Sequence, residues 1–156
     1  MFCYPAYKAI KEQLAGIAQT FFYTGQYTKG ADNTSYKVPA IYIEMPKPGA
    51  VVMWGRRLKS IKPAIVKIHY ISYAPFKSVD GAIQDSAIAA HEATLRQIDL
   101  LLEGWAARNA PEAGKTEGTL LTQKLINSNV NMLNFQDSNL FSILSYTTEI
   151  YSRHLQ

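Results

Sequence analysis

The chain has 156 residues, with 47% hydrophobic and 18% charged side chains and with 2 Trp, 10 Tyr and 6 Phe. That balance is too apolar and too weakly charged for a disordered polypeptide, and the length suits one globular domain over residues 1–156 with a core that forms without staples. The net charge of +4 fits a solubility bias as well as a nucleic-acid partner, so charge by itself excludes neither.

Residues 5–19 are expected to form an amphipathic helix: Tyr7, Ile10, Leu14 and Ile17 recur at spacings of three and four, and Pro5 suits the first turn. Thr20–Tyr27, rich in Thr and aromatic residues, predicts a strand, and Gly25 with residues 29–33 predicts a loop. In Val38–Met45, Ile41, Ile43 and Met45 share one face of a strand, and Val38, Ala40 and Tyr42 share the other. Ala50–Leu58 reads as an edge strand or an extended loop. Pro63–Tyr73 carries the clearest alternation, Val66, Ile68 and Tyr70 against Ile65, Lys67, His69 and Ile71. A long helix starts at Asp80 or Asp85, shows the stripe Ile88, His91, Leu95, Ile98, Leu102 and Trp105, and runs to Ala107 before Asn109-Ala110-Pro111. Residues 111–118 are a loop, Leu120–Leu133 and Phe141–Arg153 are extended, and residues 134–139 join them.

One helix, three or four strands, a long helix and two more strands make an α+β fold: a largely antiparallel β-sheet with an N-terminal helix and one long helix on one face. With one central helix between the strands, the order differs from that of a βαβ nucleotide-binding fold. No apolar stretch reaches the ~20 residues of a membrane-spanning helix, and no secretory signal is expected.

The residue types that carry chemistry are sparse. His69, His91 and His154 include no pair at the i, i+4 spacing of a helical metal site, so neither a metal nor another cofactor is expected. His91 on the helix stripe and His69 on a strand are read as satisfied, partly buried imidazoles rather than general bases, with no partner visible in sequence. Cys3, the single cysteine, forms no internal disulfide, suits a reducing compartment and is read as a structural or incidental thiol at a fraying terminus. Gly114-Lys115-Thr116 lacks the earlier glycine of a phosphate-binding loop. The acids along the long helix read as a solvated face. No catalytic residue is assigned, and an enzyme is not expected.

One compositional feature stands out. Between Met45 and Val79 there is no acid, while Lys47, Arg56, Arg57, Lys59, Lys62, Lys67 and Lys77 are all cationic. The stretch is either a contact surface for phosphate or an acidic partner, with Trp54 and Tyr73 as stacking groups, or a solvated hairpin whose charges keep a sheet edge from mispairing. Val51, Val52, Met53 and Trp54 beside those cations have the composition of an interface core with a charged rim, or of ordinary core. Tyr146 and Tyr151 among Thr and Ser are consistent with a last strand that presents both faces to other protein.

The layout resembles the tail terminator and tail completion proteins of long-tailed bacteriophages. The resemblance lies in the N-terminal helix, the Val38-Pro39-Ala40-Ile41-Tyr42-Ile43 strand, the basic hairpin, the Ile65-Val66-Lys67-Ile68-His69-Tyr70 strand, the long helix laid over the sheet, and closing strands that end in Tyr146-Thr147-Thr148-Glu149-Ile150-Tyr151. It implies a non-enzymatic virion protein without cofactor, a hexameric ring that caps the tail tube, ends its polymerisation and meets the head connector or neck proteins. It also implies assembly in the host cytoplasm and then residence in the tail-neck region, with DNA only as passing cargo and no membrane. A ring needs a heterologous interface. The hairpin from Lys47 to Lys62, with Trp54, Arg56, Arg57, Lys59 and Lys62, is the candidate for one side of it, and Asp85, Glu92, Asp99 and Glu103 are candidates for the other. The alternative from a different class is a small nucleic-acid-binding module that uses the basic 47–62 segment.

Overall fold

The computed structural model describes residues 3–26, 36–46, 51–54, 57–74, 84–130, 133–136 and 138–151, with side chains except at 51–54, 57–59 and 135–136. In chain order the elements are α1 (Tyr4–Leu14), β1 (Thr20–Phe22), β2 (Ala40–Glu44), β3 (Val51–Trp54), β4 (Arg57–Tyr73), α2 (Asp85–Leu102), β5 (Ala106–Arg108), β6 (Leu120–Lys124), β7 (Ile126–Val130), β8 (Asn134–Gln136) and β9 (Asn139–Tyr151). The fold is α+β, with a mostly antiparallel sheet. Among the described residues β1 and β2 form the one parallel pair.

Two long strands, β4 and β9, form the spine, antiparallel from Ser60–Tyr151 to Tyr73–Asn139. β2 and β3 lie along one edge of β4, while β6, β7 and β8 lie in succession along the outer edge of β9. The Ala50–Leu58 segment, read from sequence as either strand or loop, contains the strand β3. β4 begins at Arg57, earlier than the expected Pro63, because the strand runs through Pro63 at an irregularity: the β4–β9 register shifts between Ile61 and Ala64. Proline has no N–H for the ladder, which confines it to such breaks.

Both helices pack on the same face of the sheet. The core there joins Ala6, Tyr7, Ile10 and Leu14 of α1, Ile98 and Leu102 of α2, and the inward residues of β2, β4 and β9. Ile98 and Leu102 are fully buried, each contributing about 2 kcal/mol. β2 is packed on both sides, as its alternation predicts: Ile41 and Ile43 join the helix-side core, while Ala40 and Tyr42 join Ile71, Phe21, Tyr23, Tyr36, Val38 and Phe141 on the opposite face. Tyr42 ties that second cluster down, because its hydroxyl accepts from the Lys37 N–H at 2.8 Å and donates to the Lys37 carbonyl at 3.2 Å.

Both helices end earlier than their hydrophobic spacing predicts. α1 stops at Leu14, and Ile17 reaches the core from the turn beyond it, with its N–H on the Leu14 carbonyl. α2 stops at Leu102, not at Ala107. Gly104 takes φ +74° and donates to the Leu125 carbonyl, and Leu125 in turn donates to the Trp105 carbonyl. The left-handed residue after the helix is a position glycine fills without a Cβ penalty. Ala106–Arg108 then forms β5, antiparallel to β6. The expected strand Leu120–Leu133 is two strands with Leu125 between them, and the 134–139 connection contains β8. Of the expected strand Thr20–Tyr27, the described part is a strand over Thr20–Phe22, and Tyr27 lies outside the described residues.

Candidate functional site

The basic hairpin is built by β3 and the first part of β4. Trp54 pairs with Arg57, leaving only Gly55 and Arg56 between them in sequence. Arg56 lies outside the described residues, as do Lys47 and Lys77. Trp54, Arg57 and Lys59 are placed by their backbones alone, and Lys62 is exposed where the β4 register shifts. The described pairing of β4 with β9 starts at Ser60–Tyr151, and β3 pairs with β4 over Arg57–Ile61.

The acids of α2 divide into two kinds. Asp85 and Glu92 are exposed, as a solvated face requires. Asp99 is half-buried and accepts at Oδ1 from the Tyr146 hydroxyl at 2.7 Å and from the Asn127 side-chain amide at 2.9 Å. Glu103 accepts from the Asn127 backbone N–H. Asp99, expected to offer its carboxylate to a neighbouring copy, ties α2 to β7 and β9 within the chain. Tyr146 is fully buried, which corrects the expectation that it faces other protein. Burial pushes its phenol well above the usual tyrosine range, and the Asp99 carboxylate beside it acts in the same direction. The hydroxyl therefore keeps its proton and donates it to the bond.

Between α2 and β7 lies a cleft of about 520 Å³, lined by Glu92, Leu95, Arg96, Asp99, Leu100, Asn127, Val130 and Leu144. Leu100 is 83% exposed and Val130 53%, so apolar surface meets a rim that carries two carboxylates and one guanidinium. Sequence reading passes over this cleft. The available signal is the run Leu100-Leu101-Leu102, since three successive helical residues point in directions about 100° apart and cannot share one stripe. On the opposite face of the sheet, Ile65 and Ile126 flank Thr147 in register and are 45% and 50% exposed.

His69 and His91 have the partners that sequence leaves unseen, and His154 lies outside the described residues. His91, 1% exposed, is held between two serines, with Ser72 Oγ 2.6 Å from Nδ1 and Ser142 Oγ 3.1 Å from Nε2, and its ring lies 4.8 Å from that of Tyr70. Burial lowers its pKa to about 4, so the ring is neutral at pH 7, one nitrogen donating and the other accepting. A serine takes the place that an orienting carboxylate holds in a nucleophilic triad, and the contacts pin α2 to β4 and β9. His69 is buried, 2.8 Å from Glu44 Oε2 and stacked on Tyr23 at 4.1 Å. Burial lowers its pKa, with Glu44 opposing the shift. Cys3 is buried in the helix-side core rather than frayed, and burial raises its thiol pKa; that disfavours the reactive thiolate. Among the described residues, no helix is long and apolar enough to cross a membrane.

No protein-family model matches the chain, and no curated protein matches it either.

Proposed function

We propose that this chain is a structural assembly protein of a phage or prophage tail, a terminator-like subunit that forms a ring on the tail tube and meets the head connector. It would assemble in the host cytoplasm and remain in the virion. Support comes first from the layout, a largely antiparallel sheet with both helices on one face. The observation that carries the reading is the β3–β4 hairpin, which pairs Trp54 with Arg57 within a cationic stretch that holds no acid. A closed ring needs one patch that meets a different patch on the next copy, and the basic hairpin would supply such a patch. Cations on it set register and partner choice more than raw affinity.

The test is charge reversal at the hairpin. Arg56→Glu with Arg57→Glu is expected to lower the oligomeric mass measured by light scattering, and an unchanged mass removes the hairpin from the interface. DNA titration at rising salt separates the alternative: a nucleic-acid module loses affinity steeply with salt, whereas a ring former retains its discrete mass and binds DNA weakly.

A further inference from the structure

The two halves of α2 are held in unlike ways. From Leu95 onward the grip is apolar and redundant: Ile98 and Leu102 are buried, Leu95 packs against the same core, Asp99 accepts from Tyr146 and Asn127, and the Gln13 side chain of α1 donates to the Leu101 carbonyl at 2.9 Å. In residues 85–94 the one buried side chain is His91; Ala87, Ile88 and Thr94 are half-buried and the rest are exposed. Among the described residues, the side-chain hydrogen bonds that join this half to the sheet are those of His91 with Ser72 and Ser142. Gln84 at the N-cap makes no side-chain capping bond. We infer that residues 85–94 are an acid-released latch, docked on the sheet through neutral His91 and freed by its protonation while the second half of α2 stays in place.

The surroundings of the ring favour this. Among the described residues it meets Ser72 and Tyr70 from β4 and Ser142 from β9. Tyr70 is the one titratable group among them, none is a carboxylate that would welcome an imidazolium, and Glu92 beside His91 on α2 is exposed. Burial holds the docked ring at a pKa of about 4, whereas a freed ring in water titrates near 6.5. The docked form is therefore fully favoured above pH 6.5. Below it, release gains about tenfold per pH unit, or roughly thirty-fold at pH 5.

A freed segment does not persist as a helix. Ten residues fall short of the ~12–15 that an isolated helix needs in water, so release melts this half and opens its backbone N–H groups to solvent. It also leaves Tyr70 and Ser142, both buried in the docked state, without the His91 ring that covers them.

The experiment is amide hydrogen exchange on the full chain from pH 7.5 to pH 5, with rates corrected for the intrinsic pH dependence of exchange. The amides of residues 89–94, which bond within the latch, are expected to be less protected than those of residues 99–103 at every pH, and their protection to fall about thirty-fold across the range. His91→Gln, which cannot titrate, is expected to remove that fall. Low urea separates local from global opening in the wild type without any variant: protection at 89–94 should hardly change with urea, because a local opening exposes little surface, while that at 99–103 declines. Protection at 89–94 that does not depend on pH overturns the latch. So does protection that matches residues 99–103 in level and in urea slope, since α2 would then open only with the whole domain.

Discussion

Acid should loosen this fold through His91 before it reaches the carboxylates. The imidazole is 1% exposed between Ser72 and Ser142, and its pKa falls from the ordinary 6.5 to about 4 because burial penalises the charged ring. The unfolded chain therefore takes up a proton near pH 6.5 that the folded chain refuses until about pH 4. The stability that depends on the neutral ring is complete above pH 6.5 and is lost as the pH falls through that window. At about 1.4 kcal/mol per pH unit, the gap from 6.5 to about 4 amounts to roughly 3 kcal/mol, a large share of the 5–15 kcal/mol that holds a typical domain. His69, also lowered by burial, adds to the loss in the same direction. Urea unfolding at steps between pH 7.5 and pH 4, on the wild type and on His91→Gln, isolates the His91 share. Glutamine keeps polar contacts but does not titrate, so the wild type should lose roughly 3 kcal/mol more than the variant across the window. Equal pH slopes in the two proteins would refute the assignment of a buried, neutral imidazole.

Removing the Tyr146 hydroxyl with Tyr146→Phe should cost about 2 kcal/mol by urea unfolding, because a bond to the half-buried Asp99 carboxylate is lost; a cost below about 0.5 kcal/mol would mean that this tie between α2 and β9 is idle. Gly118→Ala should destabilise the chain by about 2 kcal/mol, since an added Cβ would run into the Asn109 carbonyl. A melting temperature equal to that of the wild type would show that residues 109–119 can shift to make room.

The parts of the fold legible from sequence are those governed by a single period. β2 shows its two faces because alternation alone sends Ile41 and Ile43 to one core and Ala40 and Tyr42 to the other. The stripe on α2 is legible for the same reason, since His91, Ile98 and Leu102 are its buried residues. Helix ends are misread because Ile17 and Trp105 prolong the helical spacing while packing on the core from the chain beyond each helix. What ends α2 is a backbone exchange with Leu125, distant in sequence, and no local pattern announces it. The candidate site divides in the same way. The basic hairpin is visible as a run of cations without acids, whereas the role of Asp99 depends on Asn127 and Tyr146, brought to it by strand pairing. The cleft is hidden because its walls come from three segments, α2, β7 and β9, none of which stands out by itself.

The central claim is that this chain works by closing into a ring with copies of itself. Native mass spectrometry of the unmodified protein over a wide concentration range, with particle images of the same sample, tests that claim most directly. The account predicts one discrete stoichiometry with a closed ring outline. A monomer at every concentration, or an open ladder of masses without a favoured number, would contradict it.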